Sequence, residues 1–191
     1  MLLLLSTLLA APLPAQAPAP QADSVRTMNG VNLPLTIDVG GRALHLNGAA
    51  LRKKAIFKVY VAALYVATKS NSADAILADD APRRMEMHFL RNVDKKKICD
   101  AWDDGLKDNT PDASAEVKAQ FTELCTMMDD IKDDQAFVFT YVPGEGTTVS
   151  VAGVEKGKIG DKGFSDAMLR TWIGPKPGPG NGFKKNLLGA S

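Results

Sequence analysis

Hydrophobic and polar positions alternate in "VNLPLTIDVGGRALHLN", residues 31–47, on both sides of Gly40-Gly41. That pattern predicts a hairpin turning at the glycine pair, with His45 on the strand face opposite Leu44 and Leu46 as a partly exposed structural histidine. Residues 54–67 are apolar at both parities. Ile56, Tyr60, Ala62, Leu64 and Val66 fall on one face, and Phe57, Val59, Val61, Ala63 and Tyr65 on the other. A run of this kind predicts one strand covered on both sides, central in its sheet. "RRMEMHFL" predicts a strand with Met85, Met87 and Phe89 inward, Glu86 on the second face and His88 solvated beside it. "AFVFTYV", Pro143-Gly144 and "GTTVSVAG" predict a second hairpin, with a further short strand at "EKGKIG".

Between and after these blocks the apolar spacing becomes helical. "SNSADAILADD" reads as a short helix with Ser72 as its N-cap. Residues 94–108 read as a helix with Asp94 as N-cap and Ile98, Trp102 and Leu106 on one stripe. Thr110-Pro111 opens the next helix, since proline suits the first helical position. Its stripe is Val117, Phe121, Leu124, Cys125 and Met128. "FSDAMLRTWIG" is helical with Phe164, Met168 and Trp172 inward, and "GPKPGPGNG" links it to a last short helix, "FKKNLLG". Two blocks of strands with helices between them predict an α+β fold, a largely antiparallel sheet with helices on one face.

The length of 191 residues and a content of 45% hydrophobic and 24% charged residues suit one globular domain. A formal net charge of +1 with interspersed signs lacks the basic stripe of a nucleic-acid binder. "MLLLLSTLLAAPLPAQA", residues 1–17, reads as a secretory signal with an Ala15-Gln16-Ala17 cleavage site, too short in its apolar core to span a bilayer. Residues 18–27 read as a disordered leader, and 28–191 as the domain of an exported, periplasmic protein. Cys99 and Cys125 fall in predicted helices. They form a disulfide in an oxidising space if those helices pack together, or stand as two buried small hydrophobes. No CxxC or HExxH spacing calls for a metal, and nothing in the chain calls for a cofactor.

Three side chains are candidates for chemistry. Arg52 ends "NGAAL", a stretch of small residues that reads as a turn, and enters the apolar run. It is either a surface cation beside Lys53 and Lys54 or an inward guanidinium that requires an anion. Tyr60 shares Arg52's parity in a regular strand, and is either core packing or a hydroxyl offered to a ligand. Thr171 lies at the edge of a helical apolar stripe, where a threonine either bonds the carbonyl one turn back or faces a pocket. Together they describe a pocket for an amphipathic anion, a carboxylate or phenolate head on a hydrophobic body.

"GAALRKKAIFKVYVAALYV", "APRRMEMHFLRNV", "YVPGEGTTVSVAG" and "FSDAMLRTWIG…LLG" together resemble the chalcone isomerase-like superfamily, in its bacterial exported branch, over about residues 28–189. The resemblance implies an open-faced β-sandwich, a large antiparallel sheet with a helical layer on one side. Members include isomerases that cyclise a chalcone to a flavanone and relatives that bind fatty acids. Arg52 matches the arginine that stabilises the oxyanion in the enzymes. Arg52 and Tyr60 match the pair that holds the carboxylate in the fatty-acid binders, and Thr171 lies where the enzymes carry a pocket threonine. The enzymes place a threonine at the position of Tyr60 and carry a tyrosine and a lysine around "MHFLRNVDKKKICDAW", where no tyrosine occurs. The implied function is therefore a periplasmic module binding a fatty-acid-like or aromatic organic anion without catalysis. The alternative is an isomerase acting on an enone with Arg52 as its catalytic electrophile. A structural or interaction protein, whose Arg52 only ties down a loop, is the third. An internal carboxylate facing Arg52 would favour it, and an open apolar cavity beside Arg52 would favour the first two.

Overall fold

The computed structural model describes residues 24–190. The signal peptide expected at 1–17 and the first part of the expected leader lie outside the described residues. Nine strands and five helices follow in the order β1 (Val25–Met28), β2 (Val31–Pro34), β3 (Thr36–Val39), β4 (Arg42–Lys54), β5 (Phe57–Val66), α1 (Ala73–Ala78), β6 (Arg83–Phe89), α2 (Lys95–Asn109), α3 (Ala115–Met127), β7 (Ala136–Val142), β8 (Gly146–Val151), β9 (Val154–Ile159), α4 (Lys162–Ile173) and α5 (Asn181–Leu187). Strands β3 to β9 form one antiparallel sheet in chain order, and β1 pairs with β2 in a separate hairpin. This is the α+β architecture expected, with a helical layer on one face of a large antiparallel sheet.

Both faces of the β4–β5 region are buried, for different reasons. One face, with Tyr60, Ala62, Leu64, Met85, Met87 and Phe89, packs under the helices against Ile98, Trp102, Met168 and Trp172. The other, with Leu44, Leu46, Val61, Ala63 and Tyr65, packs under Leu33 of the β1–β2 hairpin. That second cover explains why residues 57–66 are apolar at both parities. It also moves the start of the fold. β1 begins at Val25, inside the stretch read as a disordered leader, because Asn29-Gly30 (φ 49° and 86°) turns the chain back to pair Val25 with Pro34.

Four further expectations change. Residues 54–67 are not one strand. Ala55 at φ 52° turns the chain, so Arg52 lies on β4 and Tyr60 on β5, and Ile56 is 87% exposed at the tip. "NGAAL" is strand and not turn. Its glycine is there for close approach, since a Cβ on Gly48 would collide with the backbone carbonyls of Asn186 and Leu187 as α5 crosses β4. The bulged Asn47 next to it donates to the Leu187 carbonyl at 2.9 Å and accepts from the Ser70 amide at 2.8 Å. α3 opens at Ala115 rather than at Pro111, because Ser114 supplies the cap, accepting from the Val117 amide at 3.1 Å. His88 is half-buried on the second face and bonded to Glu86 at 2.9 Å, instead of solvated.

Cys99 on α2 and Cys125 on α3 are joined by a disulfide, with their α-carbons 5.7 Å apart. Arg83, 5% exposed at the start of β6, is held by Asp166 and by Ser165 at 2.7 Å, which ties the sheet to α4. No helix among the described residues is long and apolar enough to cross a membrane.

Candidate functional site

Arg52 and Tyr60 are direct cross-strand partners in the β4–β5 ladder. Directly opposed residues project from the same face, here the helical one, with β-carbons about 5 Å apart. The expectation that the two share a face therefore holds through pairing between strands and not through parity within one strand. Immediately beyond this pair the register slips. Lys53 pairs with Lys58, leaving Val59 as an extra residue on β5. A bulge bends its strand, and the bend falls where the sheet meets a cavity.

That cavity has a volume of about 510 Å³, within the range of roughly 300–1,000 Å³ that small-molecule sites occupy. Its apolar wall comes from Val59, Met87, Phe89, Ile98, Trp102 and Trp172. Arg52, Tyr60 and Thr171 all line it, so the structure brings the three sequence candidates together. Four cationic side chains, Arg52, Lys54, Arg91 and Lys97, stand around it against two carboxylates, Asp104 and Asp108 of α2. The helices α2 and α4 that form its roof approach closely at Gly105, where a Cβ would lie 2.9 Å from the Cβ of Thr171.

The polar groups differ in what they have left to give. Arg52 donates from Nη1 to the carbonyl of Pro179 at 3.1 Å, and no carboxylate pairs with it among the described residues. With five guanidinium donors in all, the other four remain for a ligand. Arg83 shows the contrast, a buried arginine whose charge is already met by Asp166. Tyr60 is 8% exposed, and its hydroxyl oxygen accepts from the indole Nε1 of Trp172 at 3.2 Å. Burial pushes its pKa up to about 12, against smaller lowering effects of the Trp172 bond and of Arg52. The phenol is therefore neutral at ordinary pH. Its oxygen is anchored, and its proton has no acceptor among the described residues. The Thr171 hydroxyl instead donates to the Met168 carbonyl at 2.8 Å. Thr171 shapes the wall, but its donor is committed within the helix.

Sequence reasoning missed Trp172 as a positioning group and Pro179 as the brace on Arg52. The first had a signal. A tryptophan on a core stripe needs an acceptor for its indole N–H, and Tyr60 is a hydroxyl within the apolar run facing that stripe. The brace had none, because a backbone carbonyl in a Gly/Pro-rich linker carries no side-chain signature.

This arrangement can hold one anionic head between a fixed guanidinium and an aimed phenol, with an apolar body against the aromatic wall. No histidine lines the cavity, and Tyr60 keeps its proton. Residues 25–189 match the family model described as chalcone isomerase-like. No curated protein matches the chain in sequence. Among solved structures, the crystal structure of a fatty-acid binding protein from Arabidopsis thaliana is similar in fold. It has a TM-score of 0.67 and 15% identity, over 86% of this chain and 95% of that chain.

Proposed function

The chain belongs to the chalcone isomerase-like family, and from that premise we propose that it is a non-catalytic binding protein for a fatty-acid-like or aromatic organic anion. The observation that carries this reading is Arg52. It lines an apolar-walled cavity of about 510 Å³ without a carboxylate to neutralise it, beside a phenol whose proton is unspent. A ligand carboxylate would accept from the guanidinium and from Tyr60, and its tail would lie along Phe89, Trp102 and Ile98. The similar fatty-acid binding structure supports the same class of ligand. The reading extends to an exported, periplasmic protein, which the leucine-rich leader and the Cys99–Cys125 bridge support, since disulfides persist in oxidising compartments.

The enzyme alternative asks Arg52 to stabilise an oxyanion while another group delivers a proton. The cavity supplies the first of these. Its lysines and carboxylates, Lys54, Lys97, Asp104 and Asp108, make no hydrogen bond to Arg52 or Tyr60, and binding without turnover asks only for the groups already facing the ligand space. The structural alternative, in which Arg52 only ties down a loop, has the bond to the Pro179 carbonyl in its favour. The open apolar-walled cavity beside Arg52, and the lack of a carboxylate on it among the described residues, favour binding.

Isothermal calorimetry with a long-chain fatty acid tests the proposal. Binding is expected in wild type, and Arg52→Ala is expected to lose about 1.5–3 kcal/mol, the worth of a charge-assisted hydrogen bond. Equal affinities in the two proteins would remove the site from Arg52.

A further inference from the structure

Six consecutive residues at the β4–β5 turn, Lys53 to Lys58, are exposed. Ile56 is 87% exposed and Phe57 53%. A lone exposed apolar side chain is ordinary on a protein surface. Here two adjoin at the extremity of a hairpin, between Lys53 and Lys54 on one side and Lys58 on the other. Arg91 adds a fourth cation, its guanidinium carbon 4.6 Å from the centre of the Phe57 ring. None of these four cations meets a carboxylate among the described residues. Lysines elsewhere on the molecule do, as in the pairs Lys96–Asp100, Lys156–Asp129, Lys158–Glu145 and Lys162–Asp166.

We infer that this hairpin tip is a docking surface for an anionic lipid bilayer. An apolar wedge ringed by unpaired cations has the chemistry of the headgroup boundary, where apolar side chains enter the acyl edge and lysines reach the phosphates. Cations alone would suit any polyanion. Ile56 and Phe57 at the tip select a partner with an apolar interior. The position adds a consequence. Lys54, Phe57 and Arg91 also line the cavity, so a docked tip sets the cavity mouth against the lipid surface. An amphipathic anion leaving the bilayer would then meet Arg52 without crossing bulk water. That transfer rests on the proposed function, whereas the docking does not. Asp104 and Asp108 border the same cavity from α2, which assigns docking to the tip and not to the whole mouth.

The test is flotation of the protein with vesicles of phosphatidylcholine plus phosphatidylglycerol, and with vesicles of phosphatidylcholine alone. The protein should float with the anionic vesicles, less so as salt rises, and should ignore the neutral ones. Lys53→Ala with Lys58→Ala should weaken retention about 25-fold, at about fivefold for each surface cation removed. Ile56→Asp should abolish it. Ile56, Lys53 and Lys58 do not line the cavity, so these variants should bind a soluble fatty acid as wild type does. That control separates a failure of docking from a failure of the site. No flotation with anionic vesicles, or retention unchanged in Ile56→Asp, overturns the inference. So does wild type that ignores vesicles but sediments as a dimer, with Ile56→Asp monomeric, because the tip would then bind a second copy of the chain.

Discussion

Replacing Tyr60 by phenylalanine should produce a stability curve that crosses that of the wild type as pH rises. At neutral pH the variant loses the acceptor of the Trp172 indole, a bond of 3.2 Å. An unsatisfied buried donor costs about 1–3 kcal/mol, and the adjoining cavity of about 510 Å³ can admit water to the indole, so the loss should be near the lower end, ~1 kcal/mol. At high pH the balance reverses. Burial raises the folded pKa of Tyr60 from 10.0 to about 12. Below about pH 10 the phenol is protonated in both states and contributes no slope. Between about pH 10 and 12 the unfolded chain releases the proton while the folded chain keeps it. Wild-type stability then falls by about 3 kcal/mol that the variant does not lose. The two curves should meet at about pH 11, and the variant should be the more stable above it. Urea titrations followed by tryptophan fluorescence at a series of pH values measure this. The two cysteines are already joined, so thiol exchange does not confuse the alkaline points. Curves that stay parallel through this range would show that Tyr60 is not withdrawn from water in the folded protein, and the oriented phenol would fall with it.

The remaining predictions concern catalysis and the bridge. The purified protein should not speed chalcone cyclisation above its Arg52→Ala variant in an absorbance assay, and an Arg52-dependent rate would promote the isomerase reading. Removing the Cys99–Cys125 bridge as Cys99→Ser with Cys125→Ser should cost stability. The sequence separation is 26, and chain entropy for a loop of that length gives about 3.5 kcal/mol. Alkylation of both thiols in protein denatured without reductant would refute the bridge.

Most elements were legible because their apolar periodicity is strong and their caps are local. Ser72 accepts from the Ala75 amide as its helix start requires, and Met85, Met87 and Phe89 lie inward on β6. What misled were signals with two physical meanings. Small residues in "NGAAL" suit a turn, but Gly48 is small because α5 passes over it. A run apolar at both parities suits one long strand, but Ala55 adopts a positive φ without a glycine to announce it. The site was legible in its charge and hydroxyls, since Arg52 and Tyr60 are individually conspicuous. It was not legible in its bracing, because the Pro179 carbonyl and the Met168 carbonyl that takes the Thr171 proton are backbone groups. Tertiary placement alone makes them partners.

The central claim is that an anionic head sits against Arg52. The most direct test is NMR of a fatty acid isotopically labelled at its carboxyl carbon, titrated toward acid pH while bound. Burial alone raises a carboxyl pKa, and an adjacent guanidinium lowers it by about 1–3 units. The account predicts that the bound carboxyl titrates below its value in the Arg52→Ala complex by that margin. The same titration in both proteins would place the head elsewhere and contradict the account.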